Sequence, residues 1–372
     1  MRKTDLLLIL CSGVLLLSLS LSFLLLPHQS FSVVENRALT TWRLPTAEEL
    51  FDGRAATMLS ALYADQFPLR SLFTATKAEI ERLLGKQENN GVFFSSKNTL
   101  LPRDEYADLT IAESNLAALC ALFENTSLPC HLLLAPRAMD VMNEKLPLSY
   151  SVDSTIFEQI ANSGIPYTLP TEALRAAERS GAEVWYRTDH HWSTYGAYLA
   201  YIEVSRALGV SPYPLSFFRQ EQVSSSFLGT SHAKVGGIKI EPDVITLFRY
   251  EGDSEITLTN EETKEVSYGF YDITALTEKD HYRIFLGGNY GRLSVTRSPE
   301  ESPRPRLLLI KDSYANAIVP FLSLHFDLEL IDPRYYEGAI QDLLSDCSLD
   351  GVLVVLGVHT LASEPSLKRI TR

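Results

Sequence analysis

The chain has 372 residues, 45% of them hydrophobic and 21% charged, a composition of globular rather than disordered or fibrous proteins. Its 33 Lys and Arg against 46 Asp and Glu give a formal net charge of −13. Phosphate-rich partners need a basic face, so nucleic acid is excluded as the natural partner and broad adhesion to anionic lipid is disfavoured.

Residues 6–26 (LLLILCSGVLLLSLSLSFLLL) carry no charge. A helix of that length just crosses a hydrocarbon core of roughly 30 Å. Arg2 and Lys3 precede it, Pro27 ends it, and no Ala-x-Ala cleavage site follows. The pattern predicts an uncleaved signal-anchor with its basic end in the cytoplasm and everything after Pro27 outside, as a single-pass membrane protein. A cleaved signal peptide is the competing reading. Of the four cysteines, Cys11 falls in this segment, Cys120 and Cys130 lie close together and Cys347 stands apart. That is neither a disulfide framework nor a metal-ligand spacing, and buried free thiols are the expectation over a Cys120–Cys130 bridge.

Residues 28–45 show little periodicity and are expected to be a tether. From 46 to 86 the pattern is helical, with Pro68 separating two helices, and Asn89-Asn90-Gly91 signals a turn before a strand at 92–94. Helices are expected over 108–125, 155–163, 171–180, 197–208, 314–325 and 336–344. Strands are expected over 130–135, 167–169, 306–310, 328–331 and 352–356. Such uninterrupted apolar strands belong in a parallel sheet covered on both faces. The stretch 220–290 alternates apolar and polar residues between turn-formers and reads as a β-rich insertion. The expected organisation is an anchor over 1–27, the tether over 28–45, and an α/β domain over 46–372 that includes the insertion.

Two polar clusters interrupt this pattern. The first, Arg187-Thr188-Asp189-His190-His191-Trp192-Ser193-Thr194, precedes a helix that Ser193 or Thr194 would cap. An acid and an imidazole two residues apart can face the same way, so Asp189 can take the Nδ1 proton of His191 and fix its tautomer. Metal ligation and a purely structural cluster remain open at this point. The second cluster, Lys311-Asp312-Ser313-Tyr314-Ala315-Asn316, follows an apolar strand and opens a helix. A serine there sits at the carboxyl end of a parallel strand, with its amide at a helix N-terminus where an oxyanion would bind. Asp-Ser is also an ordinary cap. The two clusters together supply a nucleophile, a base and an orienter. Asn289, after Gly287-Gly288, is a candidate second oxyanion donor, with Gly288 beside it. Arg334 and Tyr335 are candidate substrate contacts or the ends of a salt bridge. Trp192 could line a sugar cleft or simply pack. Gly229-Thr230-Ser231-His232 is polar enough for a substrate loop, with no stronger argument.

The segment TDHHWSTYGAY at 188–198 resembles the signature of the bacterial DHHW family, which is similar to the SGNH-like domains of periplasmic alginate O-acetyltransferase proteins. FLGGN at 285–289, KDSYAN at 311–316, PFL at 320–322, IDPRYY at 331–336, ENRAL at 35–39 and DQFPLR at 65–70 extend the likeness over nearly all of the chain outside the anchor. The resemblance implies an SGNH-like fold with Asp189 as orienter, His191 as base and Ser313 as nucleophile, and with no cofactor or metal. Lys311 stands where the usual Gly-Asp-Ser block has glycine. The function implied is acyl-ester chemistry on an envelope or secreted polysaccharide, by preference O-acetyl transfer with a membrane protein supplying acyl groups. An esterase and a silent binding or assembly protein are the alternatives.

Overall fold

The computed structural model describes residues 3–32, 34–35, 37–106, 108–297, 304–346 and 348–371. Arg2, Asn36 and Cys347, each used in the sequence reading, lie outside that set. Contacts divide the chain into two units, one of residues up to 90 together with 232–240, the other of 91–231 and 241–372.

In the first unit the uncharged segment forms one helix, Lys3–Leu25, long and apolar enough to cross a membrane and with none of its residues buried. Three helices follow, Ala47–Phe51, Arg54–Gln66 and Arg70–Leu83. Thr46 and Glu49 close a reciprocal capping box at the start of the first, satisfying two orphan N–H groups. Pro68 lies between the second and third, as its missing N–H and fixed φ require. The stretch 28–45 is fastened to these helices. Its strands Phe31–Ser32 and Arg37–Ala38 pair antiparallel. Arg37 and the Thr40 amide donate to Asp65, and the Gln66 carboxamide donates to the carbonyls of Gln29 and Thr40.

The second unit is built on eight strands: β1 (Cys130–Ala135), β2 (Tyr167–Thr168), β3 (Ile256–Asn260), β4 (Val266–Tyr268), β5 (Arg292–Arg297), β6 (Arg306–Lys311), β7 (Asp327–Ile331) and β8 (Gly351–Gly357). They form one sheet in the order β4-β3-β5-β7-β6-β8-β1-β2. From β7 to β2 every pairing is parallel, while β5, β3 and β4 add antiparallel to one edge. Part of the β-rich stretch thus extends the main sheet. The rest comprises an antiparallel pair of Arg219–Phe227 with Asp243–Arg249, the helix Thr230–Lys234 between them, and the 3-10 turns Ile273–Thr277 and His281–Ile284.

Alternate side chains of the central strands enter two separate cores. Leu133, Leu307, Leu309, Leu353 and Val355 pack on one face, Leu132, Leu134, Leu308, Ile310, Val352 and Val354 on the other. The central strands read as continuous apolar runs because both faces are covered. Strand β6 is followed by β7 on one side and then by β8 on the other. The order in which successive strands are added reverses there, although all three run parallel, and it is at such a point that α/β sheets open a crevice at their carboxyl edge.

Two helices differ from expectation. The stretch 314–325 is a 3-10 turn, Ser313–Ala317, followed by one short helix, Val319–Leu322. Pro320 explains the break: inside a continuous helix it would remove one hydrogen bond and clash with the carbonyl of Asn316, whereas near the start of a new helix it is tolerated. The helix expected at 336–344 begins later, at Ile340. Cys120 and Cys130 are free thiols.

Candidate active site

Residues 185–192 form a closed loop. Trp185 and Trp192 bridge antiparallel across it, and the Tyr186 amide donates to the His191 carbonyl. The Trp185 indole and the Tyr314 hydroxyl both donate to the carbonyl of His190. Ser193 caps the following helix, Thr194–Ala207, accepting from the Gly196 amide. These contacts fix the backbone from which the side chains of Asp189, His190 and His191 project.

Asp189 is 2% exposed. Its Oδ1 accepts from the His191 amide at 3.0 Å and from His191 Nδ1 at 2.6 Å. Its Oδ2 accepts from the Thr230 amide at 2.7 Å and the Thr230 hydroxyl at 2.9 Å. Burial pushes this carboxyl up, but the charges of His190 and His191 and the hydrogen bonds from His191 and Thr230 outweigh it and hold Asp189 far below the usual carboxylate range. Gly229 allows this close approach, since a Cβ there would lie 2.3 Å from Asp189 Oδ2.

Ser313 opens the 3-10 turn after β6, partly exposed, with Oγ 2.8 Å from His191 Nε2. Asp312 holds that turn. Its Oδ1 accepts from the Tyr314 amide, and its Oδ2 from the Gly357 amide and the Thr360 hydroxyl beyond β8. With Nδ1–H donated to Asp189, His191 Nε2 is the basic nitrogen facing the serine hydroxyl. Side chains from two separate parts of the chain thus form one hydrogen-bonded line, Asp189–His191–Ser313.

The remaining candidates are placed as follows. Gly288 adopts φ +131°, a conformation that favours glycine, and its carbonyl accepts from Asn316 Nδ2 at 3.3 Å. Asn289 Oδ1 accepts from Lys311 Nζ at 3.2 Å and Asn316 Nδ2 at 3.1 Å. Lysine can only donate, so the Asn289 oxygen must face Lys311, which turns the NH2 end the other way. Lys311 is 2% exposed, and burial lowers its ammonium to about 8 against the pull of Asp332. Arg334 closes a two-pronged ion pair with Asp332, at 2.9 and 2.7 Å, and lies over the half-exposed Tyr335 ring. Trp192 is fully buried, its indole donating to the Tyr314 carbonyl, so it packs beneath the site and lines no cleft.

Asp189, His190 and His191 offer ligand atoms within 4.8 Å of one another, the geometry a metal would need. Their lone pairs are differently committed. Both Asp189 oxygens accept from His191 and Thr230, and His191 Nε2 faces Ser313. The donor set fits a proton relay better than a cation cage. His190 Nδ1 lies 2.6 Å from the Thr230 hydroxyl. That hydroxyl has one proton; given to Asp189, it leaves its oxygen to accept from His190.

Sequence reasoning missed Tyr282, whose ring lies on His191 and whose hydroxyl donates to the Ser313 carbonyl at 3.1 Å. Nothing local in Tyr282 signals this. Thr230 drew notice only as part of a polar run, although it is what anchors Asp189.

The fold is an SGNH-like α/β sheet, with Ser313 after a strand at its switch point. Residues 161–331 match the DHHW protein family. A DHHW family protein from Eubacterium siraeum shares 21% identity, with 76% of this chain aligned to 95% of that one and a TM-score of 0.63. Bacillus cereus PatB1 with a sulfonyl adduct shares 18%, covering 76% of this chain and 98% of that one, also at 0.63. A second PatB1 structure gives 17%, 73% and 97%, at 0.59. At these identities the likeness is one of fold. No curated protein matches the chain in sequence.

Proposed function

We propose that the chain is an extracytoplasmic serine acyltransferase, held to a bacterial membrane by Lys3–Leu25, that moves acetyl groups onto hydroxyls of an envelope or secreted polysaccharide. The observation that carries the reading is the 2.8 Å contact of Ser313 Oγ with His191 Nε2, backed by the 2.6 Å contact of Nδ1 with buried Asp189. In the proposed cycle, Ser313 Oγ attacks the donor's carbonyl carbon and its proton passes to His191 Nε2. Asp189 stays ionised and steadies the imidazolium. The Ser313 amide and the Asn289 carboxamide serve as oxyanion donors. The leaving group departs with the proton held by His191, giving an acyl ester on Ser313. A sugar hydroxyl then loses its proton to the same nitrogen and attacks the ester carbonyl, and His191 returns that proton to Ser313 Oγ as the serine leaves.

Transfer is favoured over hydrolysis by the likeness of the Asp-His segment to alginate-acetylation proteins. Orientation of a bound acceptor against water can supply roughly 7–11 kcal/mol. PatB1 has been captured with a sulfonyl adduct, which makes a sulfonyl fluoride a suitable probe here. The test incubates the protein with an activated acetyl ester and a panel of oligosaccharides. Acetylated sugar that disappears in Ser313→Ala supports transfer. Ester hydrolysis indifferent to every sugar supports an esterase. No turnover and no sulfonyl labelling of Ser313 would leave a binding or assembly protein.

A further inference from the structure

Two helices of the first unit each leave one face bare. On Arg54–Gln66 the exposed positions after Arg54 are Ala56, Thr57, Leu59, Ser60, Tyr63 and Ala64, none of them charged. On and beside Arg70–Leu83, Leu69, Leu72, Phe73, Ile80, Leu83 and Leu84 are exposed, Leu83 and Leu84 by 80 and 82%. With Thr76 they follow a spacing of three and four residues, which lines them on one stripe. Lys77 and Glu79 border it, and Lys77, Arg82 and Lys86 pair with Glu81 and Glu79 on the polar part of the helix. A bare stripe of leucine and phenylalanine this long marks an interaction surface.

The occupant is indicated by where the stripe begins. The ring of Phe23, near the end of the apolar helix, lies 5.3 Å from that of Tyr63. Tyr63 is 5.6 Å from Phe67, and Phe67 5.8 Å from Phe73. Gln29 and Gln66 exchange two hydrogen bonds just beyond the helix end. The bare stripe is therefore continuous with the one segment, among the described residues, that is long and apolar enough to cross a bilayer. One exposed apolar stripe opposite a charged face is the pattern of a helix lying in a membrane surface.

We propose that Arg54–Gln66 and Arg70–Leu83 lie in the outer surface of the same bilayer, with Leu72, Phe73, Ile80 and Leu83 seated among the lipid acyl chains. The proposal rests on the reading of Lys3–Leu25 as a membrane span. Seated in this way, the helices do more than tether: they hold the first unit down on the membrane.

The test uses full-length protein in phosphatidylcholine vesicles whose acyl chains carry bromine, a contact quencher of tryptophan. Four single variants are compared with the parent: Leu16→Trp in the apolar helix, Phe73→Trp and Leu83→Trp on the stripe, and the solvated control Arg206→Trp. The added emission at positions 16, 73 and 83 should fall in brominated relative to ordinary vesicles, while that at 206 is unchanged. Quenching at 16 without quenching at 73 and 83 would overturn the seated helices and leave the span intact. Quenching at none of the three would overturn both.

Discussion

The Tyr282 ring lies parallel to the His191 imidazole, with centroids 3.8 Å apart and planes within 5°. Tyr282 is buried, which pushes its phenol well above its ordinary value and keeps it a hydrogen-bond donor to the Ser313 carbonyl. One residue thus braces His191 through its face and the turn of Ser313 through its hydroxyl.

Tyr282→Phe retains the stack and loses the hydroxyl, so its kcat should fall only a few-fold. Tyr282→Leu loses both. Stacked aromatic pairs are worth about 0.5–1.5 kcal/mol beyond burial, so kcat should fall about tenfold more, with KM little changed. Steady-state kinetics on an activated ester compare the two. Equal losses would mean that the ring does not brace the imidazole.

Thr230 should act on activity through Asp189. Thr230→Val removes the hydroxyl at 2.9 Å and leaves the amide contact at 2.7 Å. A hydrogen bond to a charged group is worth about 1.5–3 kcal/mol, so kcat should drop about tenfold or more while Thr230→Ser restores most of it. Failure of Thr230→Ser to rescue would point to packing instead.

The pH dependence of stability follows from the depressed carboxyl of Asp189. A carboxyl held low in the folded state adds stability above its unfolded value of about 4, and that contribution is lost progressively as the pH falls below it. Chemical unfolding at pH 6 and pH 3 should show a steeper acid loss in the parent than in Asp189→Asn. Parallel losses would mean that Asp189 is not held ionised by the fold.

Much of this was legible because the chemistry is local. Asp189 and His191 lie two residues apart, and Asp312-Ser313 follows a strand whose apolar run announces a covered parallel sheet. The central strands were readable for the same reason. What escaped depends on distance or on a single residue. Tyr282 reaches His191 from 91 positions away and Thr230 reaches Asp189 from 41, and neither has a local pattern that says so. The helix expected over 314–325 ignored what Pro320 forbids. Strand β3 alternates because that edge of the sheet is half solvated, and alternation alone does not tell which sheet a strand joins.

Lys311 should position Asn289. Its ammonium orients the carboxamides of Asn289 and Asn316 and sits 3.8 Å from Asp332. Losing one oxyanion donor costs about 100- to 1000-fold in kcat, which is the expectation for Asn289→Ala. Lys311→Met frees the Asn289 amide to turn over and should cost about tenfold, with little further effect in the double variant. Full additivity in the double-mutant cycle would separate the two residues and refute the link.

The central claim is that Ser313 carries the acyl group, and intact-protein mass spectrometry after brief exposure to p-nitrophenyl acetate tests it most directly. The account predicts one added acetyl group, mapped by peptide digestion to Ser313, formed slowly in His191→Ala and absent in Ser313→Ala. Acetylation that persists undiminished in Ser313→Ala, or that maps elsewhere, would contradict it.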